Sequence, residues 1–506
     1  MNLLIINASD WAYAVGIPLA KFIKKELADV NIGTVLMNYA SYQHTMSDSF
    51  KYDYISNKML LGDEVLSTDF YKKYGHISMG EIEETLGVDS VWKNIISAQR
   101  NLVYHPGKKQ SYAWTQQVDD ETLLNIVRVN YIYIKELFER FPPSIIITPN
   151  YISVFCCMLY HYAKKRNINM WRINTTKINS HYLLTDDILF NLKNVEKKYK
   201  SNDISEEAFD YAKDYIQKFR AQYIDPEGHE NKVKLIERKR VTSVIKEAVT
   251  KFYKVPKIIF LNWRKKKGRF SLEVYKGSRD LPFIIRFRNM LLEYIYVEKA
   301  LSLDYHVPKD DEDYFFLPMC VMPEENMMMW ATYCTNQLEF ARLVAMGLPG
   351  RYTLYVKEHP AMIGERKPKF YKKLMKTPNV KLLAPDTSCY SIVKNKNCKG
   401  VIGLAGTTPF EALLLQKPVI SFGELFYSMV PQCYKLTDVT KITEAVREIE
   451  KNDFSSKRYE DALVRFVAAL KSESIETSYV KAKLNKDERA LAGIFAAFQK
   501  EIEKVI

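Results

Sequence analysis

A chain of 506 residues is too long for one hydrophobic core, so two or three packed units are expected. The composition, 47% hydrophobic and 26% charged with 18 glycines and 19 prolines, excludes a low-complexity or collagen-like chain. The formal net charge of +14 indicates anionic partners such as nucleotides, acidic polymers or an anionic membrane face, and nucleic acid is not expected, since no zinc-finger, RNP or basic-zipper pattern occurs.

The seven cysteines are an odd number and include no CxxC pair, which predicts reduced thiols without a disulfide framework or structural zinc site. Met1 is followed at once by apolar residues, without the charged region and cleavage site of a secretory signal. No run approaches the ~20 apolar residues that a membrane-spanning helix needs. We therefore expect a cytoplasmic protein.

Residues 1–190 are predicted to form a Rossmann-like unit in which buried strands alternate with helices. Residues 7–17 are predicted to be a loop, and Pro18 suits the first turn of the helix that follows. The alternation predicts a parallel sheet with helices on both faces. The predicted strands are 3–6, 32–37, 145–147 and 170–173, and the later predicted helices are 121–140 and 152–166.

The rest of the chain is predicted to contain a helical insert, a second Rossmann-like unit and a final helix. Strand patterns fade over 191–312, where Lys and Arg cluster, so this range is interpreted as a basic helical linker or insert. The second unit spans 313–483, and an amphipathic helix lies within 484–506. Its predicted strands are 314–317, 353–356, 380–383, 401–404 and 419–422, and its helices are 335–347, 368–375 and 409–416.

We therefore expect an α/β protein with two Rossmann-like parallel-sheet domains and a helical linker. In such a protein a cleft lies between the carboxyl ends of the two sets of strands. Ligands of open α/β sheets bind at those ends.

The first motif is Lys357-Glu358-His359-Pro360, directly after a predicted strand. Pro360 favours an extended conformation at His359. His359 could then donate to a phosphate oxygen, and Lys357 could add a positive charge. A surface loop with ordinary charges would give the same four residues, so this motif alone leaves both interpretations open.

The second motif, residues 403–411, contains a strand end, a turn of small residues and a helix start. Backbone N–H groups at such a start, with the hydroxyls of Thr407 and Thr408, can form a phosphate site. A structural interpretation also fits, because Thr408 and Glu411 have the spacing of a capping box. It does not account for Gly403, Gly406 and Thr407. Both motifs end strands of one predicted sheet, and this combination favours a phosphate site.

These motifs resemble the donor-binding domain of bacterial capsule polysaccharide biosynthesis proteins. Relatives of that family are the Kdo-transferring capsule enzymes, the bacterial polysialyltransferases and, more distantly, the teichoic-acid glycerophosphotransferases. The resemblance covers about 120 residues, from Tyr314 to about Pro431, and the first unit matches only in style. The pieces that carry it are Phe316-Leu317-Pro318, Pro323-Glu324, Lys357-Glu358-His359-Pro360, Gly406-Thr407-Thr408-Pro409-Phe410-Glu411-Ala412-Leu413-Leu414 and Lys417-Pro418-Val419-Ile420-Ser421-Phe422-Gly423.

The resemblance implies a glycosyltransferase of the GT-B type with a nucleotide-sugar donor, commonly a CMP-activated acidic sugar, and a glycan or lipid-linked glycan acceptor. Glu411 would meet the ribose hydroxyls. Ala405 stands where relatives often have Ser, which reduces the number of hydroxyls in the turn. The donor-binding residues that it implies are Lys357, His359, Pro360, Gly406, Thr407, Thr408 and Glu411.

Transfer of a sugar needs a group that takes the acceptor hydroxyl proton, or a nucleophile. Asp10, in the predicted loop after the first strand, is the first candidate. Asp186 is the second, with Asp187 and His181 as alternatives, although Thr185 before the two aspartates could also cap a helix.

Asp311, Glu312 and Asp313 form a DxD run of the kind that metal-dependent transferases use. The run precedes a predicted strand in an acidic loop, so a solvated charge run is the favoured interpretation. We expect neither a metal site nor a cofactor.

The segment 232–288 combines clustered Lys and Arg with aromatic residues, for example Arg264-Lys265-Lys266-Lys267 beside Trp263. Such a segment suits an anionic inner leaflet, at ~1 kcal/mol per basic residue. An acidic polymer or a solvated helix face fits as well.

The function predicted from the sequence is transfer of a sugar from a nucleotide donor to a growing capsule or surface polysaccharide. Two alternatives stay open: a glycerophosphotransferase of the teichoic-acid type, and a non-catalytic polysaccharide-binding assembly protein on the same fold.

Overall fold

The computed structural model confirms the predicted class: the chain forms two α/β units, each built on a mainly parallel sheet. The residues that the structure describes are 1–57, 72–96, 120–225, 283–322, 324–477, 479, 483 and 487–506.

The first sheet has seven strands in the order β13-β6-β5-β4-β1-β2-β3. The strands from β1 to β5 are parallel to their neighbours, whereas β6 is antiparallel to β5 and β13 is antiparallel to β6. The bounds are β1 Asn2–Asn7, β2 Asn31–Leu36, β3 Tyr54–Asn57, β4 Ile145–Ile147, β5 Met170–Thr175, β6 His181–Thr185 and β13 Ile475–Glu476.

Helices cover both faces of this sheet, as the alternation predicted. The apolar residues of β1 alternate between two buried clusters, Leu4 and Ile6 in one and Leu3 and Ile5 in the other. The helices before the second unit are Ser9–Trp11, Ile17–Glu26, Tyr39–Ser47, Met79–Leu86, Asp120–Arg140, Val154–Lys164, Lys193–Ser201, Glu206–Ala221 and Phe283–Leu301, with π-helical turns at Ala12–Gly16 and Trp92–Ile96.

The predicted loop over 7–17 is wrong, because the chain is helical from Ser9 onward. Ser9 has a φ of 45°, which places it in the left-handed region. The Asn38 side chain fixes this turn: its Oδ1 accepts from the Ser9 backbone N–H at 3.1 Å, and its Nδ2 donates to Ser9 Oγ at 2.7 Å. A contact with a residue 29 positions away cannot be seen in local sequence.

The range 174–187, for which the sequence predicted no strand, contains the second strand of a hairpin. β5 and β6 are joined by residues 176–180, and Arg172 pairs with Thr185 in the antiparallel ladder. The sequence missed this hairpin because its connection has neither glycine nor proline. Lys177 and Ser180 adopt the positive φ values instead.

The second sheet has six parallel strands in the order β12-β11-β10-β7-β8-β9. Its strand order reverses between β7 and β10, where ligands of open α/β sheets bind. The bounds are β7 Tyr314–Pro318, β8 Thr353–Lys357, β9 Val380–Leu383, β10 Cys398–Gly403, β11 Val419–Ser421 and β12 Cys433–Lys435. The helices of this part are Gln337–Gly347, Pro368–Met375, Cys389–Lys394, Thr408–Leu414, Ile442–Glu450, Lys457–Glu473 and Glu488–Glu503.

The end of the chain returns to the first unit. β13 joins the first sheet, and in the last helix Phe495 packs against Phe22 with ring centroids 5.7 Å apart. The return therefore begins before residue 483, where the sequence placed the end of the second unit.

The helices of the predicted insert pack on the second unit. Lys193–Ser201 and Glu206–Ala221 lie against Lys457–Glu473, and Arg220 forms two bonds with Glu460, of 2.9 and 2.8 Å. Most of the predicted basic segment, residues 232–282, lies outside the described residues. In the described part of the chain, no helix combines the length and the apolar character that crossing a membrane requires.

Candidate functional site

The two motifs lie at the carboxyl edge of the second sheet. β7 pairs with both β8 and β10, so the residues that end these strands emerge close together. The structure brings Lys357 and Thr408 to one place, since both side chains lie beside the Cys389 thiol. Burial raises the pKa of this thiol, and the two neighbours oppose that shift.

Lys357, the last residue of β8, is 5% exposed. It forms no ion pair with any carboxylate of the described residues. A buried ammonium group without a carboxylate is unfavourable unless another anion meets it. The position is therefore suited to an anionic ligand.

His359 follows as a half-buried residue in the extended conformation that Pro360 predicted, with φ −65° and ψ 129°. Burial lowers the pKa of its imidazole, and the positive charge of Lys357 lowers it further. Nδ1 accepts from the Ala361 backbone N–H at 3.2 Å. The neutral ring therefore carries its proton on Nε2, which can donate to an anion.

The turn after β10 leaves open space at Gly406. Gly406 has a φ of +91°, and a Cβ atom built on it would meet nothing within 4 Å. Thr407 and Thr408 follow it, both half-exposed. The turn can therefore approach a ligand with backbone N–H groups and hydroxyls.

The capping-box interpretation of Thr408 and Glu411 is wrong. Thr407 precedes the helix Thr408–Leu414 in an αR conformation, and no side-chain cap hydrogen bond forms. The Thr408 side chain lies beside Cys389 instead. The helix has only seven residues, so side chains contribute more of the site's polarity than the helix dipole does.

Glu411 is buried in the first turn of this helix. Tyr223 OH donates to its Oε1 at 3.4 Å. Burial raises the pKa of Glu411 to about 7, Asp225 adds to the rise, and Tyr223 and Lys177 oppose it. Lys177 belongs to the β5–β6 connection, so this carboxyl group lies where the two units meet.

Sequence reasoning missed the residues that hold these loops. Glu358 Oε1 accepts from the His359 backbone N–H at 2.9 Å, and Glu358 pairs with the buried Arg366. Gln337 bonds both the N–H and the carbonyl of Cys320, at 2.8 and 3.0 Å. Of these four residues only Glu358 belongs to a predicted motif, Lys357–Pro360, and the sequence assigned it no role.

Asp10 lies just after β1, next to the switch point of the first sheet between β1 and β4. Its side chain is 99% exposed, and its Oδ1 lies 3.9 Å from His44 Nε2. It belongs to the first turn of Ser9–Trp11, so it lies on a turn that Asn38 fixes.

Asp186 follows β6 and is half-exposed, with Tyr151 among its neighbours. Asp187 has a structural role, since its Oδ1 accepts from the Leu189 backbone N–H at 2.8 Å. His181 is 2% exposed, and Lys471 Nζ lies 2.9 Å from its Nε2. Asp186 and Asp187 are exposed to a similar degree, and the contacts of Asp187 and His181 leave Asp186 as the favoured candidate.

Within the DxD run, Asp311 is exposed and the side chain of Asp313 is 44% exposed, as a solvated run predicts, whereas Glu312 is held by neighbouring side chains. Glu312 accepts from Tyr355 OH at 2.5 Å and Thr353 Oγ1 at 3.0 Å, and Asp313 pairs with Lys399 at 3.0 Å. The run precedes β7 and so lies at the edge of the sheet opposite the two motifs. In the described ranges, no three His, Cys, Asp or Glu side chains group as metal ligands would.

Residues 328–454, which include both motifs, match the family model for capsule polysaccharide biosynthesis proteins. The predicted resemblance is confirmed for this part of the chain. No curated protein matches the sequence.

Several solved structures resemble the chain. One is the β-Kdo 2,7-transferase KpsC of Thermosulfurimonas dismutans, 13% identical, with a TM-score of 0.38 over 73% of this chain and 89% of that chain. The β-Kdo 2,4-transferase KpsC of the same organism is 14% identical, with a TM-score of 0.34 over 65% and 79%. A UDP-GlcNAc 2-epimerase from Neisseria meningitidis bound to UDP-GlcNAc is 11% identical, with a TM-score of 0.23 over 96% and 100%.

Proposed function

We propose that this chain is a glycosyltransferase, because residues 328–454 match the family model for capsule polysaccharide biosynthesis proteins. It would move a sugar from a nucleotide-activated donor to a growing capsule or surface polysaccharide. The observation that carries the proposal is Lys357, a buried cation without a carboxylate partner in the described chain, beside Thr408.

The donor phosphate would bind between the two motifs. Lys357 supplies a charge and His359 Nε2–H a hydrogen bond, while Gly406 lets the backbone approach. Thr407 and Thr408 add hydroxyl donors. As the sugar leaves, negative charge builds on the phosphate, and positioned donors in a water-poor site stabilise that charge.

The base would come from the first unit. Asp10 is the first candidate, since an exposed carboxylate beside the switch point can take the proton of an acceptor hydroxyl. Asp186 is the second candidate. Glu411 is proposed to meet the ribose of the donor from its buried position beside Tyr223.

The test is a thermal-shift screen with CMP, CDP, UDP and GDP and their sugars, on the wild type and on His359→Ala. A ligand that binds the folded state raises its apparent stability by RT ln(1 + [L]/Kd). One nucleotide should stabilise the wild type, and His359→Ala should lose most of this effect while it remains folded, because a charge-assisted contact contributes ~1.5–3 kcal/mol. Equal nucleotide affinity in both proteins would contradict the site.

The alternatives are outcomes of the same experiment followed by an acceptor assay. Transfer of a glycerol phosphate unit from an activated donor to the acceptor would identify a glycerophosphotransferase. Donor binding without hydrolysis or transfer would identify an assembly protein.

We also propose a cytoplasmic enzyme that docks on the anionic inner leaflet through 232–288. Salt-sensitive binding to anionic liposomes, lost when Arg264, Lys265, Lys266 and Lys267 are changed to Gln, would support this. Binding that survives this change would contradict it.

A further inference from the structure

Arg172 lies on β5 where the first unit meets the second. Its neighbour Trp171 pairs with Ile147, the last residue of β4, so Arg172 stands at the carboxyl edge of the sheet. The side chain is 4% exposed. A guanidinium group stays charged even when it is buried, so its contacts decide what this position does.

One side of the guanidinium is occupied. Nη1 donates to Oε1 of Glu325, from the loop after β7, at 2.5 Å. The Tyr151 ring lies against the guanidinium, with Cζ 4.7 Å from the ring centroid. Arg172 is therefore held in place by one residue from each unit.

The other edge has no partner. Nε and Nη2 are both buried, and neither hydrogen-bonds to any residue that the structure describes. These two N–H groups point the same way and form the fork that binds two oxygens of one anion. Buried donors without partners are unfavourable, so this edge is suited to two oxygens of an anion.

We propose that the Nε/Nη2 edge of Arg172 binds the carboxylate of an acidic sugar residue in the cleft between the units. The inference rests on the proposed function, since it assigns a second anionic group of the same substrates. The donor phosphate belongs to Lys357 and His359 in the second unit. Arg172, in the first unit, is therefore available for a carboxylate on the transferred sugar or on the acceptor.

Because this edge is buried, binding of the ligand requires the two units to separate here. Glu325 and Trp330, whose Nε1 donates to the Ile188 carbonyl at 3.1 Å, connect the second unit to the first here. Glu325 already places one carboxylate beside Arg172, and the ligand would bring a second one, which the negative charge of Glu325 would repel. Removal of the Glu325 charge should therefore strengthen ligand binding.

The test compares methyl glucuronide with methyl glucoside, which differ by the carboxylate, by calorimetry on the wild type, Arg172→Lys and Glu325→Gln. The wild type should bind the glucuronide about tenfold or more tightly than the glucoside. Arg172→Lys keeps the charge but loses the fork, so this preference should fall about tenfold, while Glu325→Gln should increase it. The matched control is Arg351→Lys, an exposed arginine paired with Glu450, which should change nothing.

Equal affinity for the two sugars in the wild type, or an unchanged preference in Arg172→Lys, would overturn the proposal. Inorganic phosphate that binds as tightly as the glucuronide, and is lost in Arg172→Lys, would overturn the carboxylate assignment. An unfolded Arg172→Lys would leave the decision to the wild-type preference and Glu325→Gln.

Two further arms separate the sources and the hypotheses. If the carboxylate is on the donor, Arg172→Lys should weaken CMP-N-acetylneuraminate more than CMP, and if it is on the acceptor the two should change equally. The glucuronide titration contains no nucleotide, so a failure of donor binding and a failure of this proposal are seen independently.

Discussion

Glu358 and Arg366 form an ion pair, Oε2 to Nε 2.6 Å, in which the two side chains are 1% and 0% exposed. Burial raises the pKa of the Glu358 carboxyl, and Arg366 opposes this shift. The pair joins two loops of the site: Glu358 accepts from the His359 N–H, and Arg366 Nη2 donates to the Cys320 carbonyl at 3.3 Å. The geometry of the proposed donor site thus depends on a pair of buried charges.

Removing one partner of this pair should be strongly destabilising, because the other charge stays buried alone. We expect Arg366→Met to lower the free energy of unfolding by ~3–5 kcal/mol, measured by urea unfolding. The double variant Glu358→Leu/Arg366→Met should lose clearly less than the sum of the two single changes. Additive losses would show that the two charges do not interact.

Replacement of Lys357, unlike that of Arg366, should raise the stability of the protein while it weakens nucleotide binding. Lys357→Met removes a buried charge without a carboxylate partner, so the protein should gain roughly 1 kcal/mol of stability while nucleotide affinity falls about tenfold or more. Lys417→Met is the matched control, since Lys417 donates to the carbonyls of Asn395 and Cys398 at 3.1 and 2.9 Å. It should lose stability and keep its nucleotide affinity. A destabilised Lys357→Met with normal affinity would assign Lys357 to the core.

Thr407→Ala and Thr408→Ala should each weaken nucleotide binding and change stability by less than ~0.5 kcal/mol, since neither hydroxyl caps the helix. Melting temperatures and nucleotide titrations measure the two effects. Ser153→Ala is the comparison, because the Ser153 side chain accepts from the Cys156 N–H at 3.0 Å and caps its helix. It should lose ~1 kcal/mol and leave affinity unchanged. A similar loss for Thr408→Ala would restore the capping interpretation.

Glu411 should make stability depend on pH. Its pKa is raised from 4.5 to about 7, so between these values the folded protein holds a proton that the unfolded chain has released. The stabilisation is fully present below pH 4.5 and is lost as the pH rises through 7. Relative to Glu411→Gln, the wild type should therefore lose stability between pH 5 and 8, by on the order of 3 kcal/mol at most. If the stability of the two proteins changed equally with pH over this range, the raised pKa of Glu411 would be contradicted.

The sequence predicted the parts of the fold that depend on local pattern. The strands 145–147 and 380–383 have the predicted bounds, because short buried runs between breakers admit little else. The β5–β6 hairpin was missed, since Lys177 and Ser180 take the positive φ values that glycine usually marks.

The candidate site could also be predicted only where it depends on local sequence. Lys357 and His359 lie at the end of a predicted strand, so their position could be predicted from the sequence. Arg366 and Cys389 come close to the site only through tertiary packing. Arg366 bonds to the carbonyl of Cys320, 46 positions away, and Arg172 bonds to Glu325, 153 positions away, so neither environment can be seen in local sequence. The sequence shows that a residue is charged, but it does not show whether the side chain is exposed to solvent.

The return of the chain end to the first sheet ties the last residues to the first. Tyr479 OH accepts from Trp11 Nε1 at 3.3 Å, and Trp11 is the neighbour of Asp10. A protein shortened before Ile475 would lose β13, Tyr479 and the last helix together, and would uncover the face on which Phe22 meets Phe495. Because the chain passes from one unit to the other and back again, neither unit can be released intact by a single cut. The last thirty or so residues thus steady the turn that carries the proposed base, although almost the whole sequence separates them from it.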